Sequence, residues 1–198
     1  METTVGIVLC GGRSVRMGTD KGLLAISGKA WAAHVGDLLG AVVPRVVLSV
    51  NAQQADRYRT AFPDVDCVVD DGRLPIGGPL LGLLTVHLQY PSANLLVLAC
   101  DMVAMRAALL QRLMRHFADK PCAALVFEHC GYPQPLCGLY AAQALAGVAR
   151  RAAAADLTNY SMMHMLGLVG ATKLFHGAEY DDCFGNYNHP DNLQLRRG

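Results

Sequence analysis

The stretch TVGIVLCGGRSVRMGTDK, residues 4–21, joins an apolar run to a loop that carries three glycines and three cationic side chains. The short, branched run up to Cys10 predicts a strand buried on both faces, because a half-exposed strand would alternate apolar with polar residues. Backbone N–H groups of adjacent glycines can close around an anion, and Arg13, Arg16 and Lys21 can bind phosphate oxygens. The stretch predicts a strand followed by a phosphate-binding loop, with a solvated surface turn as the alternative.

The glycine spacing excludes two common phosphate loops. Gly11, Gly12 and Gly18 do not fit the G-x-G-x-x-G pattern of dinucleotide-binding proteins. A Walker loop has four residues between its glycines and a lysine directly after the second. Here five residues separate Gly12 from Gly18, and two more precede Lys21. The phosphate site is therefore of another type.

Three further segments indicate strands that are buried on both faces, at residues 45–51, 66–70 and 94–100. Segments of helical length separate them, at residues 30–42, 52–62 and 78–90. Strands that alternate with helices predict right-handed βαβ units on a parallel sheet. The expected fold class is α/β, a doubly wound and mostly parallel sheet with helices on both faces. The second half predicts further elements in less regular order: helices at 105–118 and 161–170, a strand at 122–128, and a strand entering a helix at 134–154.

Composition limits the class of protein. The 198 residues suit one domain, and a hydrophobic content of 53% with 17% charged residues predicts a substantial core. A net charge of +1 gives no field for nucleic acid or an anionic membrane, and no signal peptide or membrane span is evident. We expect a soluble, cytoplasmic protein with small-molecule substrates.

The cysteines indicate a reducing compartment. They number seven, include no C-x-x-C pair, and lie in apolar segments, as in LVLAC and PLCGLY. An odd count in such surroundings favours buried, reduced thiols over disulfides. No cysteine zinc site is expected.

Polar residues follow each predicted strand at the point where it ends. Asn51 follows the second strand, Asp70 and Asp71 the third, and Asp101 the fourth. The ligand crevice of a doubly wound sheet opens at the carboxyl ends of its strands. We therefore expect these residues to lie in one site with the cationic loop, GGRSVRMGTDK, residues 11–21.

The segment LCGGRSVRMGTDKGLL, residues 9–24, resembles the signature L-A-G-G-x-S-x-R-M-G-x-D-K-x-L-L of the molybdenum cofactor guanylyltransferases, members of the MobA-like nucleotidyltransferase family with its Rossmann-like fold. Four later segments are similar to family motifs in the same order: VVDDGRLPIGGPLLGL, LLVLACDM, QPLCGLY and NYNHPDNL. Three positions depart from the family pattern: Val103 replaces a proline, His189 a threonine, and Leu81 a small residue beside the expected nucleotide pocket. The larger side chain of Leu81 would crowd that pocket.

The resemblance implies an activity. GMP would pass from GTP to the phosphate of molybdopterin, forming molybdopterin guanine dinucleotide and releasing pyrophosphate. Residues 1–198 would form one nucleotidyltransferase domain, with the nucleotide bound by roughly residues 1–105 and the acceptor by roughly 106–198. The nucleotide-binding residues it implies are Leu9, Cys10, Gly11, Gly12, Arg13, Lys21, Asn51, Asp71 and Asp101.

The resemblance also implies roles. Lys21, Arg16 and Asp101 would be catalytic, with Mg²⁺ (or Mn²⁺) held by Asp101, and a molybdoenzyme or chaperone is a possible partner. Asp71 would read the guanine base, and Gly11 would make room for a purine. The acceptor-side candidates are Gln134, Pro135, Asn186 and Asn188.

Alternatives remain open on the sequence alone. Asp101 and Asn51 can be helix caps, and Asp71 can belong to an Asp-Gly turn. Gly11 distinguishes GTP from CTP by one methyl group only, so a cytidylyltransferase, or a nucleotidyltransferase with another phosphorylated acceptor, is the near alternative. A non-catalytic nucleotide-binding module in molybdoenzyme assembly is the alternative of another class.

Overall fold

The computed structural model describes residues 3–11 and 20–185. Seven of the residues singled out above lie outside these ranges: Gly12, Arg13, Arg16, Gly18, Asn186, Asn188 and His189. The strands are β1 (Thr4–Leu9), β2 (Ala25–Ile26), β3 (Lys29–Ala30), β4 (Arg45–Val50), β5 (Asp66–Val69), β6 (Asn94–Ala99), β7 (Ala124–His129), β8 (Tyr132–Tyr140) and β9 (Thr172–Phe175). The helices are α1 (Trp31–Gly40), α2 (Ala55–Ala61), α3 (Pro79–Gln89), α4 (Ala107–Asp119), α5 (Ala142–Ala153) and α6 (Met162–Val169), with 3₁₀ turns at Lys21–Leu23 and Ala178–Phe184.

Within residues 3–11 and 20–185, seven strands form the main sheet in the order β5-β4-β1-β6-β8-β7-β9. Strands β5, β4, β1 and β6 are mutually parallel, which confirms the predicted doubly wound α/β class. The chain moves outward from β1 to β4 and β5 and then returns to β6 on the other side of β1. Such a reversal of strand order opens a crevice at the carboxyl ends of β1 and β6.

The core fills both faces of the sheet. Val8 of β1 packs in a cluster with Trp31 of α1, whereas its neighbours Ile7 and Leu9 pack in a second cluster with α3. All three β1 side chains are at most 5% exposed. Successive strand residues point to opposite faces, so two-sided burial explains the nearly continuous apolar run.

In the second half of the sheet, one of the described strands runs against its neighbours. Strand β8 runs antiparallel to both β6 and β7. The two-residue turn between β7 and β8 has positive φ at Cys130 (50°) and Gly131 (81°). This is the pattern of a tight hairpin turn, and such a turn joins only antiparallel strands.

Three short strands were not predicted. The β2–β3 pair and β9 have two to four residues each, and of β9 only Leu174 is buried. Segments this short and this exposed carry no apolar periodicity above that of a loop. Within the described ranges, no helix is long and apolar enough to cross a membrane.

Candidate active site

The start of the cationic loop is fixed to both neighbouring strands. The backbone N–H groups of Cys10 and Gly11 both donate to the carbonyl of Ser49, at 2.9 and 3.2 Å. On the other side, the N–H of Cys100 donates to the carbonyl of Leu9 at 3.1 Å. The loop therefore leaves the sheet at the point where the crevice opens.

Lys21 and Asp101 meet at this crevice. Lys21 begins the 3₁₀ turn that follows the loop, and Asp101 follows β6. The Lys21 Nζ lies 3.0 Å from the Asp101 Oδ2, and the side chains are 26% and 22% exposed. Two residues that the resemblance implies to be catalytic thus form a half-buried ion pair at the carboxyl end of the sheet.

Asp20 anchors the turn that carries Lys21. Its Oδ1 accepts from the Gly22 N–H at 3.2 Å and from the Tyr58 hydroxyl at 2.7 Å, while its Oδ2 accepts from Gln54 Nε2 at 2.7 Å. Burial raises the pKa of Tyr58, so this hydroxyl remains a donor. Asp20 was not among the predicted site residues, although it stands directly before Lys21 in the segment LCGGRSVRMGTDKGLL. Asp20 is a positioning residue for the lysine.

Asn51 and Gln54 form a reciprocal pair before α2. The Gln54 N–H donates to the Asn51 Oδ1, and the Asn51 N–H donates to the Gln54 Oε1, both at 3.1 Å. This arrangement has the logic of a capping box. Gln54 also donates to the Cys10 carbonyl at 3.2 Å, which ties the pair to the loop. A nucleotide contact by Asn51 stays a prediction.

Asp71 is held by Arg73. The Arg73 Nε and Nη2 donate to its two carboxylate oxygens at 2.9 and 2.8 Å, and the Arg73 N–H donates at 3.0 Å. These hydrogen bonds lower the pKa of Asp71 to about 2. The Arg73 side chain is 91% exposed, and so open a pair contributes little stability. Asp71 is thus an ionised acceptor that can exchange partners, and base reading by it stays a prediction.

The carboxyl group of Asp70 is buried, which the sequence did not indicate. Its Oδ1 is buried and has no hydrogen-bond partner among the described residues. Burial raises the pKa of Asp70 to about 6. A Cβ placed on Gly11 would lie 3.6 Å from its Oδ2, so the carboxyl group borders the loop. An unsatisfied buried carboxyl at a crevice is typical of a binding site, and its only sequence signal was its place after the third strand.

The described acceptor-side candidates lie in the first part of β8. Because β8 is antiparallel to β6, this part lies at the same sheet edge as Asp101. The Gln134 Nε2 donates to the Tyr132 carbonyl at 3.1 Å, and the Pro135 carbonyl accepts from the Tyr140 hydroxyl at 2.5 Å. Both contacts stay within the strand, so an acceptor role for Gln134 and Pro135 stays a prediction.

The site suits a divalent cation of the hard type. Mg²⁺ needs one or two carboxylates and takes its remaining ligands from phosphate oxygens and water. Asp101 offers a partly exposed carboxylate at the crevice edge, beside the lysine that can meet the phosphates. These residues fit such an ion.

A doubly wound sheet with a cationic residue and a carboxylate at its switch point defines a nucleotide-binding enzyme of the phosphate-transferring kind. The MobA-like NTP transferase domain matches residues 6–167, and the chain belongs to this family of nucleotidyltransferases.

Named relatives agree. Molybdenum cofactor guanylyltransferase of Pseudomonas entomophila is 31% identical over 188 residues, covering 94% of each chain. The molybdenum cofactor biosynthesis bifunctional protein of Synechocystis is 34% identical over 142 residues, which are 71% of this chain. The match spans only 40% of that longer protein.

Solved structures share the fold. Molybdopterin-guanine dinucleotide biosynthesis protein A from Archaeoglobus fulgidus has a TM-score of 0.78 at 21% identity, covering 98% of this chain and 96% of that one. The 4-diphosphocytidyl-2C-methyl-D-erythritol synthase from Anaerococcus prevotii has a TM-score of 0.70 at 8% identity, covering 98% and 94%. The manganese complex of Rv0371C from Mycobacterium tuberculosis has a TM-score of 0.62 at 18% identity, covering 88% of each chain.

Proposed function

We propose that this enzyme transfers GMP from GTP to the phosphate of molybdopterin, forming molybdopterin guanine dinucleotide and releasing pyrophosphate. The observation that carries the proposal is the 3.0 Å contact of Lys21 with Asp101 at the carboxyl ends of β1 and β6. The names of the guanylyltransferase relatives support the choice of nucleotide and acceptor.

Lys21 and the cationic loop bind the phosphates. The ammonium group of Lys21 stabilises the charge that grows on the phosphate oxygens during transfer. In the proposal, the phosphates are also bound by Arg13, Arg16 and Gly12, which lie outside the described residues. The hydrogen bonds of Asp20 hold the turn that carries Lys21, so only the lysine side chain has to move when the substrate binds.

Asp101 holds Mg²⁺, with Mn²⁺ as a substitute. When bound there, the ion would neutralise phosphate charge. The manganese complex of a protein with the same fold is consistent with a divalent metal. In the proposal, Asp101 exchanges its contact with Lys21 for the ion, and the freed lysine turns to the phosphates.

The guanine base lies between the loop and the end of β5. Gly11 leaves room there, and the ionised Asp71 accepts from the guanine N–H groups in place of Arg73. CTP is the second candidate nucleotide, and the specific observation in its favour is the shared fold of a diphosphocytidyl synthase.

The chain divides into two functional parts within one domain. Residues 1–105 bind the nucleotide, and residues 106–198 bind the acceptor through Gln134, Pro135, Asn186 and Asn188.

All seven cysteines are free, which fits the reducing conditions of the cytoplasm. Hand-over of the product to a molybdoenzyme or chaperone also belongs to the proposal.

The test is a nucleotide comparison. Purified enzyme, Mg²⁺ and metal-loaded molybdopterin are incubated with GTP, CTP, ATP or UTP, and pyrophosphate release is measured. We expect turnover with GTP at least about tenfold above the others, the ratio that a difference of about 1.4 kcal/mol produces. Preference for CTP would establish the second candidate, and nucleotide binding without turnover would establish the non-catalytic module.

A further inference from the structure

Two histidines and an aspartate come together on the far half of the same sheet edge. His129 ends β7, and His176 follows directly after β9. Because β7 and β9 are parallel neighbours, their carboxyl ends meet. Asp181 comes from the 3₁₀ turn Ala178–Phe184, and one ligand atom from each of the three residues lies within 4.8 Å of the others.

The hydrogen bonds of this cluster fix which nitrogens face each other. The His176 Nδ1 lies 2.9 Å from the Gly177 carbonyl, which can only accept, so that nitrogen carries the proton and Nε2 is bare. The bare Nε2 lies 3.2 Å from the His129 Nδ1. A backbone carbonyl that orients a histidine in this way is the usual support of a metal ligand.

His129 can present its Nδ1 lone pair without losing a proton. Its other nitrogen, Nε2, lies 3.4 Å from the Cys130 Sγ. When a cation binds Nδ1, the ring proton moves to Nε2, and the Nε2–H can donate a hydrogen bond to the sulfur. Cys130 therefore supports the ring from its opposite side and is not itself a ligand.

The distances match a small tetrahedral ion. Zinc–nitrogen bonds of 2.0–2.1 Å in tetrahedral geometry place neighbouring ligand atoms about 3.4 Å apart. The two imidazole nitrogens are 3.2 Å apart, and the His129 Nδ1 lies 3.7 Å from the Asp181 Oδ1. The same carboxylate oxygen lies 3.6 Å from the protonated His176 Nδ1, and a ligand atom of Asp181 lies within 4.8 Å of one from each histidine.

Packing holds the rings in place before any ligand arrives. His129 and His176 stack on each other at 5.2 Å between centroids, and both stack on Phe184, at 5.2 and 4.5 Å. The His176 side chain is 6% exposed, whereas that of Asp181 is 61% exposed. The His129 side chain is 21% exposed, so a partly exposed ring and an open carboxylate give a cation a route in from solvent.

We propose that His129, His176 and Asp181 bind one divalent transition-metal ion, with Zn²⁺ the best match and the fourth position open to water. Imidazole donors favour zinc, cobalt and nickel over the hard Mg²⁺ that suits Asp101. The site is therefore chemically distinct from the phosphate-binding crevice, and it stands whether or not the proposed transfer reaction is right.

The test is Zn²⁺ binding to tag-free protein in the absence of nucleotide, followed by calorimetry and by the rise in melting temperature that a native-state ligand produces. We expect one tight equivalent. His176→Ala should lower the affinity about 100-fold or more, since removal of an orienting partner alone costs 10–100-fold. His116→Ala in α4 is the matched control and should bind as the wild type does.

Two further variants separate ligation from folding. Asp181→Asn changes an exposed side chain and should weaken Zn²⁺ by about tenfold or more with the fold intact. Asp101→Asn should leave Zn²⁺ binding unchanged, which distinguishes this site from the candidate magnesium site. The absorption of bound Co²⁺ should show the strong visible bands of a tetrahedral ion. Weak octahedral bands, or zinc affinity that survives both His176→Ala and Asp181→Asn, would overturn the proposal.

Discussion

The Lys21 Nζ lies 3.0 Å from the Asp101 Oδ2, although 80 residues of chain separate them. Each side chain is about one-quarter exposed, so the pair is neither buried core nor free surface. The lysine and the carboxylate neutralise each other at the mouth of the crevice. When a polyanion and its cation enter, the lysine can bind the polyanion and the carboxylate can bind the cation. The proposed enzyme therefore uses one contact to hold its two most important charges in position.

Replacing Asp101 with asparagine should separate binding from chemistry. Lys21 and the loop can hold a triphosphate without a metal, so we expect GTP affinity within about tenfold of wild type, or about 1.4 kcal/mol. Turnover should fall much further, because an amide binds Mg²⁺ far more weakly than a carboxylate does. Calorimetry with GTP and pyrophosphate release on the same sample measure both.

Asp66→Asn is the control for that variant, since the exposed Asp66 lies on the edge strand β5 and pairs with Arg45 of β4. It should leave both quantities unchanged. Turnover that drops only in step with GTP affinity in Asp101→Asn, or that persists in excess chelator, would make Asp101 a structural residue.

Replacing Lys21 with alanine should lower kcat by about 10²- to 10³-fold, because the lost ammonium group stabilises charge that grows during transfer. We expect the same order of effect for Arg16→Ala. Lys29→Ala is the matched control, because Lys29 lies on β3 and pairs with the exposed Asp37 of α1. Steady-state kinetics measures all three variants, and near-wild-type turnover in Lys21→Ala would reduce the loop to a surface turn.

Replacing Asp71 with alanine should cost GTP binding about 1–3 kcal/mol and CTP binding less, because guanine donors lose their acceptor. Arg73→Ala is the control: it removes the present partner of Asp71 but keeps the carboxylate, so GTP affinity should not fall. Competition binding measures the affinity of each variant for GTP and for CTP. Equal losses for GTP and CTP would show that Asp71 does not read the base.

Gly11→Ala tests the same pocket from the loop. The added Cβ would lie 3.6 Å from the Asp70 Oδ2, an ordinary contact that the fold accommodates. We expect this variant to lose more affinity for GTP than for CTP, relative to wild type. Such a difference would report crowding of the purine and not misfolding.

Asp70 should make the stability of the protein depend on pH. Its pKa is about 6 in the folded protein against an ordinary value of 3.8, so folding favours the protonated form. The stability this provides is full below pH 4 and is lost as the pH rises through 6. Asp70→Asn should therefore be more stable than wild type by about 1 kcal/mol at pH 8, a value reduced because water still reaches the group.

Urea unfolding of Asp70→Asn and wild type between pH 4 and 8 measures this difference. The advantage of the variant should shrink toward pH 4, where the wild-type carboxyl is also neutral. A difference that stays constant with pH would show that the carboxyl group ionises normally.

Gly22 should tolerate no side chain. A Cβ there would overlap the Tyr58 hydroxyl, which is fixed by its hydrogen bond to Asp20. We expect Gly22→Ala to destabilise the protein by about 1–3 kcal/mol. Gly167→Ala in α6, where the Cβ meets open space, should be neutral or slightly stabilising. Thermal unfolding compares the two, and equal melting temperatures would show that the turn is loosely packed.

The sequence by itself determined the architecture around β1. Continuous apolar runs indicate strands that are buried on both faces. Because parallel strands end at the same edge of a sheet, the polar residues that follow them lie at that edge. The alternation of strands and helices was therefore enough to place Asn51, Asp70, Asp71 and Asp101 at the carboxyl edge of the sheet. The resemblance to a known family supplied the chemistry.

Only the tertiary structure decided which side chains touch. Nothing local in the sequence shows that Lys21 pairs with Asp101, or that Asp70 is buried with no hydrogen-bond partner among the described residues. The contact of His129 with His176 bridges 47 residues. Strand order, register and helix packing set these contacts, and they depend on which distant surfaces are complementary in shape, whereas burial and periodicity are local properties that each segment shows alone.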